Sequence, residues 1–185
     1  MNLARRPWLP HMTGIALVML LAACGSNATA EAEVPAGPVV DLADILPAPM
    51  EDALDKRLRA YWEDKGNALV VASIGSLGNQ TIEEVAFDLF NEWGIGDDKT
   101  HRGILLLVAP NDRMVRIEVG CGVETIITNS AAAEVIAQDI IPLYRQGQLA
   151  EGTVAGVDAL IQRLDAGRDP GPVSQYCREL MKKAA

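Results

Sequence analysis

The chain has 185 residues and carries 16 Lys+Arg against 25 Asp+Glu, a formal charge of −9. That length suits one ordinary domain. So acidic a chain is a poor match for nucleic acid or anionic lipid headgroups, whose phosphates call for clustered cations, whereas divalent cations and protein partners remain open.

Residues 1–23 read as a targeting segment. Arg5 and Arg6 give a positive start, and residues 12–22 form an apolar run shorter than the ~20 residues needed to span a bilayer. The run closes on Leu21-Ala22-Ala23-Cys24, followed by Gly25 and Ser26. These features together resemble the signal peptide and lipobox of bacterial lipoproteins. The resemblance implies that Cys24 is acylated and becomes the mature N-terminus. It also implies a cell-envelope protein that faces the periplasm. No Asp follows Cys24, which favours an outer membrane where one exists. Arg5-Arg6-Pro7-Trp8-Leu9 also weakly resembles a twin-arginine signal, but the general secretion route is favoured. Residues 24–185 keep 14 of the 16 basic residues and all 25 acids, a formal charge of −11.

Residues 24–38 are small, polar and Pro/Gly-bearing, the composition of a flexible tether, and order begins at Val39-Val40-Asp41. Pro47 to about Asp64 spaces Met50, Leu54, Leu58 and Tyr61/Trp62 as an amphipathic helix, with Gly66 placed to end it. Ala68–Ile74 is a nearly continuous apolar run, the pattern of a strand buried on both faces. Thr81–Trp93 predicts a second helix, opened by a Thr81/Glu84 capping box. Gly103–Ala109 predicts another buried strand. The Pro110-Asn111-Asp112 turn and the alternation of Met114–Val119 predict an antiparallel hairpin. Thr128 or Asn129 caps a helix to about Gln146, which Pro142 kinks. Thr153–Leu164 predicts the next helix, and 167–185 reads as a linker with a short C-terminal helix containing Cys177. The order is helix, strand, helix, strand, strand, helix, helix. It predicts a single α/β domain over 39–166, with helices on both faces of a small mixed sheet.

Once Cys24 is acylated, Cys121 and Cys177 form an even pair in an oxidising compartment, which leaves a disulfide or two separate thiols.

Several stretches together resemble the TPM domain. They include Val40-Asp41-x-Ala43, Leu89-Phe90-Asn91-Glu92-Trp93-Gly94-Ile95-Gly96, Arg102 to Val108, and Arg116-Ile117-Glu118-Val119-Gly120-x-Gly122-x-Glu124. Ile141-Pro142 with Tyr144-Arg145, and Gly152 with Gly156, extend the match over about 39–165. Cys121 stands where the family usually has a large aromatic residue. Many bacterial relatives carry a membrane helix after the domain; here the lipid on Cys24 is expected to provide attachment. The resemblance implies a three-layer α/β/α Rossmann-like sandwich and divalent-cation binding. It also implies a role as an accessory or interaction module for membrane protein complexes, with a protein partner in the envelope. Weak acid phosphatase activity on phosphomonoesters is the alternative it carries.

Topology brings the Asp97-Asp98 loop, at the start of strand 103–109, beside the exit of strand 114–119. Asp97, Asp98 and Glu124 are therefore expected to converge near Thr100 and His101. Such hard oxygen ligands suit Ca²⁺ or Mg²⁺, and the family resemblance implies Ca²⁺ rather than Mg²⁺. The helix start at Asn129 adds N–H groups suited to an anion. No catalytic residue is assigned. Ile127 breaks a Cys-x5-Arg loop from Cys121, and residues 24–185 contain one His, His101, with no Ser-His-Asp set. Gly120-x-Gly122 lacks the third Gly of a dinucleotide loop. Any hydrolase chemistry here would be metal-assisted.

Overall fold

Strand β3, Gly103–Ala109, is buried at all seven positions because side chains that alternate across a sheet meet cover on both faces. Ile104 and Leu106 belong to one core, and Leu105, Leu107 and Ala109 to the other. The computed structural model describes residues 34–97, 99–167, 175 and 177–179. The lipobox cysteine, most of the tether and Asp98 lie outside the described residues.

The sheet has four strands in the order β1-β2-β3-β4. β1 (Val39–Asp41) and β2 (Ala68–Ser73) pair in parallel, Val39 opposite Val71. β2 pairs in parallel with β3, Ala68 opposite Gly103. β4 (Met114–Val119) returns antiparallel, Ile104 opposite Val119. The sheet is therefore small and mixed, as the sequence predicts, but it has one strand more. β1 is three residues long, too short for alternation to announce it. Asp41 ends β1 and shapes the turn after it. Its carboxylate accepts from the N–H groups of Ile45 (3.1 Å) and Leu46 (2.7 Å) and from the Ser73 hydroxyl.

Helix α1 (Ala48–Lys65) buries Leu54 and Leu58 and ends at Gly66, whose φ of 66° suits glycine. Helix α2 (Ile82–Glu92) starts on the capping box. The Glu84 N–H donates to Thr81 Oγ1 (3.2 Å), and the Thr81 N–H donates to Glu84 (2.8 Å). α2 covers one face of the sheet through Ile82 and Ala86. The other face is covered by α1, α3 (Asn129–Val135), the π-helical segment Ile136–Ile140 that continues it, and α5 (Leu149–Ala166). The short α4 (Ile141–Tyr144) completes the chain of helices.

Two boundaries differ from the sequence reading. Pro142 has no N–H to continue an α-helical ladder, and the turn before it widens to π geometry. α5 starts at Leu149 rather than Thr153. Gly152 resembles a breaker in sequence but lies inside the helix, where an added Cβ would sit 2.6 Å from the Tyr144 ring. Gly156 meets Ile140 in the same way, at 2.6 Å. Small residues four apart let α5 approach the preceding helical segments closely.

Candidate functional site

The site forms where the start of β3 meets the exit of β4. Three glycines permit that meeting. A Cβ on Gly103 would lie 2.2 Å from the Ile95 carbonyl, one on Gly120 would lie 2.5 Å from the His101 carbonyl, and one on Gly122 would lie 2.0 Å from the Thr100 carbonyl. Backbone hydrogen bonds close the junction: Gly120 N–H to Gly103 (2.8 Å) and Gly122 N–H to His101 (2.8 Å). Arg102 braces it from beneath, donating to Asn67 Oδ1 (2.7 Å) and to the Gly122 carbonyl (3.4 Å). Asn67 in turn donates to the Tyr61 hydroxyl (3.3 Å), which donates to Asp165 (3.1 Å). Burial pushes Tyr61 up to about 12, so it remains a neutral link across the physiological range.

Above this junction opens a cleft of about 240 Å³ between the C-terminal half of α2 and the two loops. Phe87 and Phe90 line its apolar side, and Asn91, Asp97, His101 and Glu118 supply its polar groups. Asp97 organises the loop that carries it. Its Oδ1 accepts the N–H groups of Lys99 (2.8 Å) and Thr100 (2.9 Å), and its Oδ2 accepts the Thr100 hydroxyl. These bonds, the Thr100 hydroxyl first, hold the Asp97 carboxyl below its ordinary range. Oδ2 keeps a second lone pair for a ligand. Glu118 uses Oε2 for Arg116 (3.0 and 3.2 Å), leaving Oε1. The Asn91 side-chain amide donates its N–H to the Phe87 carbonyl (2.7 Å) and keeps its oxygen as an acceptor.

The sequence-predicted residues divide. Asp97 and His101 line the cleft, with Cys121 at its edge. Glu124 is not among the lining residues; its carboxylate lies 3.2 Å from Cys177 Sγ. Asp98 lies outside the described residues. The Cys121 and Cys177 sulfurs are bonded in the structure, with Cα atoms 5.4 Å apart. Among the described residues no three His, Cys, Asp or Glu side chains gather in a metal-binding group. Glu118 and Asn91 were not singled out by sequence as cleft residues. Glu118 reads as a solvent-facing strand position beside Arg116, and only the packing of α2 over the end of β4 turns that face into a wall.

A TPM domain model matches residues 39–163, which span the whole sheet and both loops of the cleft. The chain belongs to the TPM domain family. Among solved structures, the N-terminal domain of a protein from P. gingivalis is 31% identical, with a TM-score of 0.65 over 74% of this chain and 87% of that one. The N-terminal domain of a Corynebacterium glutamicum protein shares the fold at 12% identity, with a TM-score of 0.56 over 78% of this chain and 90% of that one. A protein of the psychrophilic bacterium Bizionia argentinensis does so at 19% identity and 0.55, over 71% of this chain and 87% of that one. No curated protein matches the chain. The TPM domain here is an α/β domain with a small mixed four-stranded sheet. None of its described helices is long and apolar enough to cross a membrane.

Proposed function

We propose that this chain is an envelope lipoprotein, held to the membrane by acylated Cys24, whose TPM domain is a divalent-cation-binding interaction module for a membrane protein complex. The observation that carries the cation reading is the pre-set Asp97 carboxylate. It sits in one cleft with Glu118 and Asn91, at the loop junction that Gly103, Gly120 and Gly122 allow to close. These are hard oxygen donors, the chemistry that Ca²⁺ takes. Two carboxylates and an amide fall short of a full calcium shell, so a cation here would also draw on loop carbonyls, water and Asp98, which the sequence puts beside Asp97. Such a site belongs to the weak class of about 10⁻⁴–10⁻³ M found in extracellular calcium modules. The charge of −9 adds a field that concentrates cations near the surface.

Two experiments test the two halves of the reading. Calorimetry with Ca²⁺ on the detergent-solubilised chain should give heat that is lost in Asp97→Ala; no heat removes the cation half. Membrane fractionation should find the intact chain in the membrane pellet and Cys24→Ala in the soluble fraction. A Cys24→Ala chain that stays in the pellet removes the lipid half. Phosphomonoester turnover that vanishes both with chelator and in Asp97→Ala would turn the same cleft into a hydrolase site.

A further inference from the structure

We propose that a second cavity, at the carboxyl end of β3, binds a small amphiphilic anion. One carboxylate or phosphate group would be held by Arg113 and Arg145, and the apolar body would lie on Met114, Ile141 and Leu149. The cavity measures about 610 Å³, within the range of small-molecule sites. It lies between the β3–β4 hairpin turn and the α4–α5 connection, at the opposite end of β3 from the Asp97 cleft. Open α/β sheets place ligands outside the carboxyl ends of their parallel strands, and this is that end.

The two arginines are set apart by their surroundings. Arg57, Arg59, Arg116 and Arg163 each sit in an ion pair with Asp or Glu, and Arg102 donates to Asn67 and Gly122. Arg113 and Arg145 flank one cavity and have no carboxylate partner among the described residues. In a chain with 25 acids to 16 bases, two guanidinium groups without such a partner beside an apolar floor form a local inversion of the molecule's charge. Guanidinium forks match carboxylate and phosphate oxygens in bidentate geometry.

The backbone supplies an independent argument. Arg113 has a φ of 56° at the end of the turn closed by its N–H to the Pro110 carbonyl (3.1 Å). Glycine or asparagine takes that left-handed conformation at lower cost. An arginine there is held in a strained position, and strain of this kind concentrates at ligand sites. Tyr144 makes a rigid, neutral wall: its hydroxyl is bonded to Thr153 (2.8 Å), and burial pushes it up to about 12. The lining therefore offers an anion-binding rim, an apolar floor and no opposing carboxylate among its residues.

The test is calorimetry on the full chain with octanoate, octyl phosphate, octanol and inorganic phosphate as probes. Octanoate or octyl phosphate should bind, and octanol and inorganic phosphate should bind at least tenfold more weakly, because each lacks one half of the ligand. Arg113→Gly and Arg145→Gln should each weaken the charged probe by tenfold or more. Arg113→Gly is the decisive variant, since glycine relaxes the turn and the protein should melt no earlier than the parent. Binding of octyl phosphate alone would keep the proposal and identify the head group as phosphate. Failure of both charged probes to bind the intact chain, equal binding of octanol, or unchanged affinity in the Arg113→Gly/Arg145→Gln double variant would overturn it.

Discussion

At Gly122 a single methyl group would enter space already held by backbone. Its Cβ would lie 2.0 Å from the Thr100 carbonyl, and neither chain can yield without opening the loop pair. Gly122→Ala should therefore destabilise the fold by about 3 kcal/mol or more, at the high end of overpacking costs. Gly75→Ala, whose Cβ meets nothing nearer than 4.0 Å, should stay within about 0.5 kcal/mol; paired urea melts would check both. Asp97 gives a pH prediction. Its folded value is lowered from the ordinary 3.8, so the loop's anchoring is complete above that pH and is lost as the pH falls below it through the folded value. Protection of the Lys99 and Thr100 amides, taken relative to their intrinsic exchange rates, should hold above pH 3.8 and fall as the pH drops through the lower folded value; protection unchanged through that range would show that the carboxylate does not hold the loop. Glu84 follows the same sign, since the Thr81 backbone N–H lowers it.

At the scale of elements, the long periodic segments were legible. Leu54 and Leu58 mark α1, the Thr81/Glu84 pair marks the start of α2, and the apolar run 103–109 marks β3. What escaped were features that depend on a neighbour. β1 exists because Val39–Asp41 finds β2 alongside, and the start of α5 was hidden because glycine at 152 serves packing rather than termination. In the site, Asp97 and His101 were legible from loop position, while Glu118 and Asn91 acquire their place only from α2 lying over β4. The same reasoning predicts that Gly152→Ala lowers stability by about 1–3 kcal/mol, although alanine is the better helix former by about 1 kcal/mol. The Tyr144 ring at 2.6 Å decides the sign, and thermal melts would show it. Thr81→Ala should cost about 1 kcal/mol through the lost cap, measured the same way.

At the scale of the molecule, the bond between Cys121 and Cys177 ties residues 56 apart in sequence and fastens the C-terminal segment to the loop at the cleft's edge. A closed loop of that length stabilises on the order of 4 kcal/mol in the chain-entropy account. Reductant should lower the melting temperature, and thiol titration of the native chain should find neither cysteine reactive; two reactive thiols would refute the pairing. Cation cleft and anion cavity sit at opposite ends of β3, so a variant in one should leave binding at the other intact. The central claim is that the TPM domain takes a hard cation at the Asp97 cleft. Its most direct test is an amide NMR titration of the full chain with Ca²⁺, carried to about 10 mM, tenfold above the weakest extracellular modules. The account predicts saturable shifts confined to Asn91 and residues 96–101 and 118–122 that disappear in Asp97→Ala; shifts that never saturate, or that persist unchanged in that variant, would contradict it.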